Sequence, residues 1–241
     1  MYRFFCDTDG ETVTVTGEDA HHISNVLRME KGENIIACCG DGLDYVSEIT
    51  DITKEKVIAK VIKTEPSKGE SNIKVTLFQG LPKGEKFDTV IQKSIELGVF
   101  EIVPLMLSRC VAKVDEKKKE AKTQRWNKIA LSAAKQCGRG IVPQVKPPLK
   151  LKEATELMKG FDLVIIAYEE ERETTLKDIL SSCGDVSSIA VVIGPEGGIE
   201  KEELHYIAEN ANGKSVTLGE RILRTETAPI SLISMIIYYF M

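Results

Sequence analysis

The chain has 241 residues, 42% hydrophobic and 29% charged, and carries a formal net charge of −5. These are the proportions of an ordinary soluble globular protein, long enough for one large domain or two small ones. Residues 1–7 show no apolar core of a signal peptide, and the longest apolar stretch, 230–241, is too short to span a bilayer. The expectation is therefore a cytoplasmic chain with no membrane segment. The six cysteines, Cys6, Cys38, Cys39, Cys110, Cys137 and Cys183, form no CxxC pair and no Cys/His cluster of zinc spacing. No metal is expected, and the thiols read as reduced and structural, with Cys110 or Cys137 as a nucleophile the alternative.

Residues 1–70 read as strand-rich. TVTVT at 12–16 alternates strictly, and ENIIACCG (33–40), DYVSEIT (44–50) and KVIAKVIK (56–63) are short β-type runs, with Asp41-Gly42 as a turn. One short helix is expected at 18–29. Several strands with one helix imply a small β-barrel. EPSKGES at 65–71 reads as a linker.

The remainder alternates. β-type runs at 73–80, 101–106, 161–168, 188–194 and 214–219 are separated by helical patterns. Phe87, Val90, Ile91, Ser94 and Ile95 follow a helical repeat that Gly98 ends. Trp126, Ile129, Ala130, Ala133, Ala134 and Cys137 follow another, ended by Gly138. Further helices are expected near 174–182 and 200–211, and a last one from about Thr225 with Pro229 in its first turn. The fold class is α/β: near-continuous apolar strands alternating with helices imply a parallel sheet covered on both faces.

Charge is unevenly spread. Residues 109–152 hold thirteen Lys and Arg against three Asp and Glu, while the rest of the chain holds nineteen against thirty-four. A local basic field attracts an anionic partner whatever the total charge. Lys117-Lys118-Lys119 alone is also compatible with a solvated helix face.

Two loops stand out. Gly194-Pro195-Glu196-Gly197-Gly198 joins an apolar strand to an amphipathic helix. It is neither a GxxxxGK[ST] phosphate loop nor a GxGxxG dinucleotide loop. Its glycines allow a sharp turn or the close approach of a ligand at the carboxyl end of a strand. A plain turn with a helix-capping acid is the alternative. The second loop, LGERILRTETA (218–228), places Arg221, Arg224 and Glu226 beside Ile222 and Leu223. Two apolar residues there are expected to bury and so fix the arginines.

With LFQGLPKGEK (77–86), HHISNVLR (21–28), QKSIELGV (92–99) and KQCGR (135–139), these loops carry a family resemblance over nearly the whole chain. The sequence resembles the SPOUT class of S-adenosyl-L-methionine-dependent RNA methyltransferases, and within it the RsmE family. One departure is Lys135, where family members often have an acid. The resemblance implies a PUA-like RNA-binding β-barrel domain at 1–70 and a SPOUT methyltransferase domain at 71–241. The latter would have a parallel sheet and a trefoil knot, which periodicity alone does not reveal. It implies methylation of N3 of a specific uridine in 16S ribosomal RNA of the small subunit, and a homodimer formed through the knot and the C-terminal helix.

By the same resemblance, S-adenosyl-L-methionine would lie among Leu77, Gln79, Ile193, Gly194, Gly197, Leu218, Gly219, Ile222, Leu223 and Ala228. Arg224 would stabilise negative charge developing on the uracil oxygens, with Arg221 as the alternative or a phosphate contact. Glu196 and Glu226 are candidate bases, or respectively a turn-holding and a helix-dipole acid. His22, Arg28, Arg109 and Arg139 are candidate RNA contacts, with an ordinary surface histidine the alternative for His22 and a partner subunit's active site the alternative for Arg139. A ribose 2′-O-methyltransferase, a non-catalytic ribosome assembly factor and, more remotely, a nicotinamide oxidoreductase are the competing readings.

Overall fold

A computed structural model describes residues 1–111 and 114–241, so Lys113 of the basic segment lies outside the described residues. The chain divides into two compact units. One comprises Met1–Glu70 with Ala134–Val142, the other Ser71–Ala133 with Pro143–Met241. Chain order alone does not reveal that 134–142 belongs with the first unit.

The first unit is built on a six-stranded sheet of β1 (Tyr2–Phe5), β2 (Asp7–Thr8), β3 (Thr12–Thr16), β4 (Asn34–Cys38), β5 (Leu43–Ile52) and β6 (Lys56–Pro66). Its order is β1-β4-β5-β6-β3-β2, antiparallel except for β1 on β4. The two edge strands of that order are joined by Cys6 alone, so the sheet must curl until its edges meet. Alternation then puts Val13, Val15, Ile35, Ala37, Val57 and Ala59 into one core with Phe4 and Ile49. The expected helix is α1 (Gly17–His21) running into a single π-helical turn, His22–Val26, so it ends three residues early. Ala20 and Ile23 bury its inner face.

Residues 65–71 are no free linker. Glu65 and Pro66 complete β6, and the Ser67 N–H donates to the Gly42 carbonyl. Glu70 receives the Arg139 guanidinium together with the Gly140 and Ile141 N–H groups. Lys135 pairs with Asp19 at 2.7 Å, so the cation at this unusual position has its own local counter-ion. Arg3 forms a bidentate pair with the buried Asp44.

The second unit holds a seven-stranded, wholly parallel sheet of β7 (Lys74–Gly80), β8 (Glu101–Met106), β9 (Gln144–Val145), β10 (Leu149–Lys150), β11 (Leu163–Ala167), β12 (Ser188–Ile193) and β13 (Lys214–Val216). The order is β10-β8-β7-β12-β11-β13, with β9 also on β8. Every residue of Ile189–Ile193 and of 75–80 is buried, so both faces of the central strands are covered. The helices are α2 (Lys86–Glu96), α3 (Glu116–Cys137), α4 (Leu151–Met158), α5 (Leu176–Ser182), α6 (Lys201–Ala211) and α7 (Thr227–Tyr239).

The predicted apolar repeat of α2 is its buried stripe, and Phe87 meets Trp126 of α3 edge to face at 4.8 Å. Asn212, in the left-handed region, ends α6. α4 was not expected, nor were β9 and β10, which at two residues each are too short for a periodic signal. α7 packs on α2, β7 and β12 through Leu232, Ile233 and Ile236 and leaves Met235 and Tyr238 exposed. No helix is long and apolar enough to cross a membrane among the described residues.

One carboxylate aligns the two strands nearest the site. Asp162, just before β11, accepts from the N–H and hydroxyl of both Ser187 and Ser188 at 2.8–2.9 Å. These bonds, those from Ser187 first, lower its pKa to about 2. A carboxyl whose folded pKa lies below its unfolded value, about 4, stabilises the fold above that value. The contribution disappears as pH falls toward 2. Asp162→Asn is therefore expected to be less stable than the parent at pH 5, with the gap closing as unfolding is measured at successively lower pH. A gap that stays constant down to pH 2 would contradict this role.

Candidate active site

The carboxyl ends of β7, β12, β11 and β13 lie side by side, the position at which open α/β sheets bind ligands. At this end of β12 the chain turns through Gly194–Gly198, closed by a Gly198 N–H to Pro195 carbonyl bond of 2.9 Å. The turn sits hard against β7: a Cβ on Gly80 would come within 2.6 Å of the Pro195 ring. Gln79, fully buried, ties three segments together. Its amide donates to the Gly80 carbonyl at 3.0 Å, the Gly194 carbonyl at 3.4 Å and the Thr225 hydroxyl at 3.0 Å. Thr225 in turn donates to the Gly194 carbonyl at 2.7 Å. Arg109 braces the far side of the turn, donating to the Gly197 carbonyl at 2.9 Å with Glu200 at 3.5 Å.

These loops enclose an open cleft of about 420 Å³. Ile193, Gly194 and Gly197 form one wall, and Leu218, Gly219, Ile222, Leu223 and Ala228 another. The structure thus brings eight of the ten expected cofactor residues to one cavity. Leu77 and Gln79 are the exceptions. Leu77 has no exposed surface in the central strand, and the Gln79 amide is spent on the neighbouring loops. Ile222 overturns the expectation that the second loop buries its apolar pair: it is 83% exposed on the rim, while Leu223 is half-buried. Arg221 and Arg224 line the cleft, exposed, and neither guanidinium has a protein partner among the described residues.

The two candidate bases converge on one ammonium. Lys86 Nζ lies 3.0 Å from Glu196 and 3.6 Å from Glu226. Hydrogen bonding to Glu196 raises the Lys86 pKa. Partial burial works to raise the Glu196 carboxyl, but its backbone bonds and Lys86 outweigh it and hold it below the usual range. Glu196 also accepts from the Lys83 N–H at 3.0 Å. An anion so held is a poor proton acceptor, and these contacts favour the turn-holding alternative for Glu196. Glu226 stands outside the cleft lining at the start of α7, with Oε2 shut from solvent beside Lys86. Its position is that of an anchor for Lys86, not of a base reaching substrate.

The four candidate RNA contacts separate. His22 is exposed and meets Phe4 edge to face at 6.4 Å, and Arg28 is exposed with a left-handed φ of 53°. Arg109 is exposed but engaged with the glycine turn. Arg139 is a correction: it is 3% exposed and paired with Glu70, which removes it from contact with an RNA phosphate. Cys110 is buried, and burial pushes its thiol pKa up, which makes it inert as a nucleophile. No metal-binding group of His, Cys, Asp and Glu occurs among the described residues.

Lys86, Tyr168, Glu169 and Thr225 also belong to the cleft and were missed. Tyr168 and Glu169 follow β11 in a charged stretch without glycine, where only the strand-end position gives a signal.

The close fit of β7 against the turn yields a prediction. Gly80→Ala forces a methyl group into Pro195 and is expected to cost about 1–3 kcal/mol, as other overpacked sites do. Urea unfolding measures this, and an unchanged midpoint would show that the turn is not seated on β7.

Comparison with known proteins matches this architecture. Residues 69–237 fit a family model described as an RNA methyltransferase domain, and residues 15–62 fit an RNA methyltransferase PUA domain. Ribosomal RNA small subunit methyltransferase E of Bacillus subtilis is 39% identical over 99% of this chain and 96% of its own length. The protein of the same name from Mesomycoplasma hyopneumoniae is 32% identical over 97% of this chain and 98% of its own. The crystal structure of ribosomal RNA small subunit methyltransferase E from Neisseria gonorrhoeae, bound to S-adenosyl methionine, has a TM-score of 0.85. It is 32% identical and aligns with 100% of this chain and 98% of that one. The chain belongs to the family of RNA methyltransferases that includes ribosomal RNA small subunit methyltransferase E.

Proposed function

We propose that this methyltransferase uses S-adenosyl-L-methionine to methylate N3 of one uridine in 16S ribosomal RNA of the small subunit. The observation that carries the reading is the cleft itself. An apolar slot between two glycine-bearing loops opens beside two arginines that have no protein partner. The slot fits the cofactor: Ile193, Leu218, Leu223 and Ala228 offer a flat apolar seat for adenine. Gly219, at φ 103° with nothing within 4 Å of a built Cβ, keeps the backbone approachable.

When bound, S-adenosyl-L-methionine supplies an electrophilic methyl group on a sulfonium. The chain must then favour the uridine anion, whose charge spreads over N3, O2 and O4. Arg224 meets that charge, and Arg221 assists or holds a neighbouring phosphate. Cations brought to a cleft stabilise charge that develops on the way to the transition state. Because Glu196 and Glu226 are committed to Lys86, the N3 proton is released to solvent from a base made more acidic by Arg224.

The remaining expectations fit this reading. In the first unit, exposed His22 and Arg28 suit contact with RNA. In the second, Lys117, Lys118 and Lys128 present exposed positive charge on α3. The chain leaves edge strand β13 and returns at Thr225 to the sheet centre before α7 packs on β7 and β12. That return supports a trefoil knot, and exposed Met235 and Tyr238 on α7 support a homodimer through that helix.

Nucleoside mass spectrometry on unmodified small subunits incubated with protein and S-adenosyl-L-methionine is the test. N3-methyluridine is the expected product. Ribose-methylated uridine would favour the 2′-O reading, and no product despite cofactor binding would refute this substrate. Arg224→Ala is expected to retain cofactor binding and lose about a hundredfold or more in turnover.

A further inference from the structure

Three consecutive carboxylates follow β11, and they have three different fates. Glu171 organises its own loop. It accepts from the Ser215 hydroxyl at 2.6 Å and from the N–H groups of Arg172, Glu173 and Thr174 at 3.0–3.2 Å. These bonds, that of Ser215 first, hold its pKa at about 2. The loop is thereby fastened to β13. Glu170 pairs with Lys201 at 3.2 Å. Glu169 has no side-chain hydrogen bond or ion pair among the described residues.

The lack of a partner for Glu169 is not for want of a cation. Arg172 is three residues away, but its guanidinium donates to the backbone carbonyls of Glu169 and Glu171, at 2.8 and 3.1 Å. That guanidinium stiffens the loop instead of neutralising Glu169. The carboxylate lines the cleft and lies over the glycine turn, where a Cβ on Gly198 would overlap it. An anion that lines a ligand cleft and is left unpaired is available to meet a cation or a hydrogen-bond donor of the ligand.

We propose that Glu169 is a cofactor-binding residue that receives the sugar–methionine part of S-adenosyl-L-methionine. The inference rests on the cleft being the cofactor site. Adenine is neutral and suits the apolar wall; the rest of the cofactor carries two hydroxyls, an ammonium and a sulfonium, each of which a carboxylate attracts, and an α-carboxylate, which must point away from Glu169. Gly198 is a glycine in part to make room for this carboxylate.

Titration calorimetry on the full chain tests this with three ligands: S-adenosyl-L-methionine, S-adenosylhomocysteine and 5′-methylthioadenosine, which lacks the amino-acid end. Parent, Glu169→Gln and Glu169→Ala proteins are compared, with Glu170→Gln as a loop control. The parent is expected to bind S-adenosyl-L-methionine, and Glu170→Gln to match it. Both Glu169 variants are expected to melt like the parent and to bind S-adenosyl-L-methionine about tenfold to a hundredfold more weakly. Equal losses for all three ligands would assign the contact to the ribose hydroxyls. Losses spared in 5′-methylthioadenosine would assign it to the ammonium, and a loss for S-adenosyl-L-methionine alone to the sulfonium. Unchanged affinity of the Glu169 variants for all three, with the parent binding normally, would overturn the proposal. A parent that binds none of them would instead overturn the cofactor reading of the cleft.

Discussion

The site depends on one buried amide. Gln79 is the last residue but one of the central strand β7, and its side chain reaches the glycine turn after β12 and Thr225 in the loop after β13. It is the buried tie among them, beside the packing of Pro195 on Gly80 and the exposed bonds of Lys83 and Lys86 to Glu196. A buried amide that loses a partner costs about 1–3 kcal/mol, so each bond to Gln79 favours the one loop arrangement that satisfies the others. The Thr225–Gly194 bond closes the set and returns the chain from the sheet edge to its centre. Cleft walls, arginine positions and the start of α7 all follow from where Thr225 is held.

Around that node the charged groups divide their work. Lys86 is shared by Glu196 and Glu226 and stabilises the walls, the three together keeping one negative charge. Arg109 is bound to the Gly197 carbonyl, and Arg172 to those of its own loop. Arg221, Arg224, Glu169 and Glu220 remain for a ligand to engage. Unpaired charges are costly to desolvate, so those kept in a cleft mark where binding and chemistry take place. The acidity of the whole chain and the basicity of residues 109–152 are thus two separate facts about solubility and partner choice.

Much of this was legible in the sequence. The parallel sheet followed from apolar runs such as 188–194, and α2 and α7 from their spacing and their glycine or proline signals. Most of the cleft was legible because glycine at the end of a strand has few physical explanations. What stayed hidden involves partners distant in sequence. Arg139 reads as a surface cation until Glu70 is seen beside it, and Glu196 as a base until Lys86 is. Ile222 reads as buried because an isolated apolar residue in a loop gives no sign of its direction. Glu169 and Glu170 are identical neighbours that differ only in what lies next to them in space.

The central claim is that the buried ties at Thr225 hold the cofactor cleft in its binding shape. Its most direct test is the calorimetric affinity of Thr225→Val for S-adenosyl-L-methionine, since the change conserves volume while removing both hydrogen bonds of the hydroxyl. The account predicts a folded protein whose affinity falls about tenfold or more. A variant that binds the cofactor as tightly as the parent would contradict it.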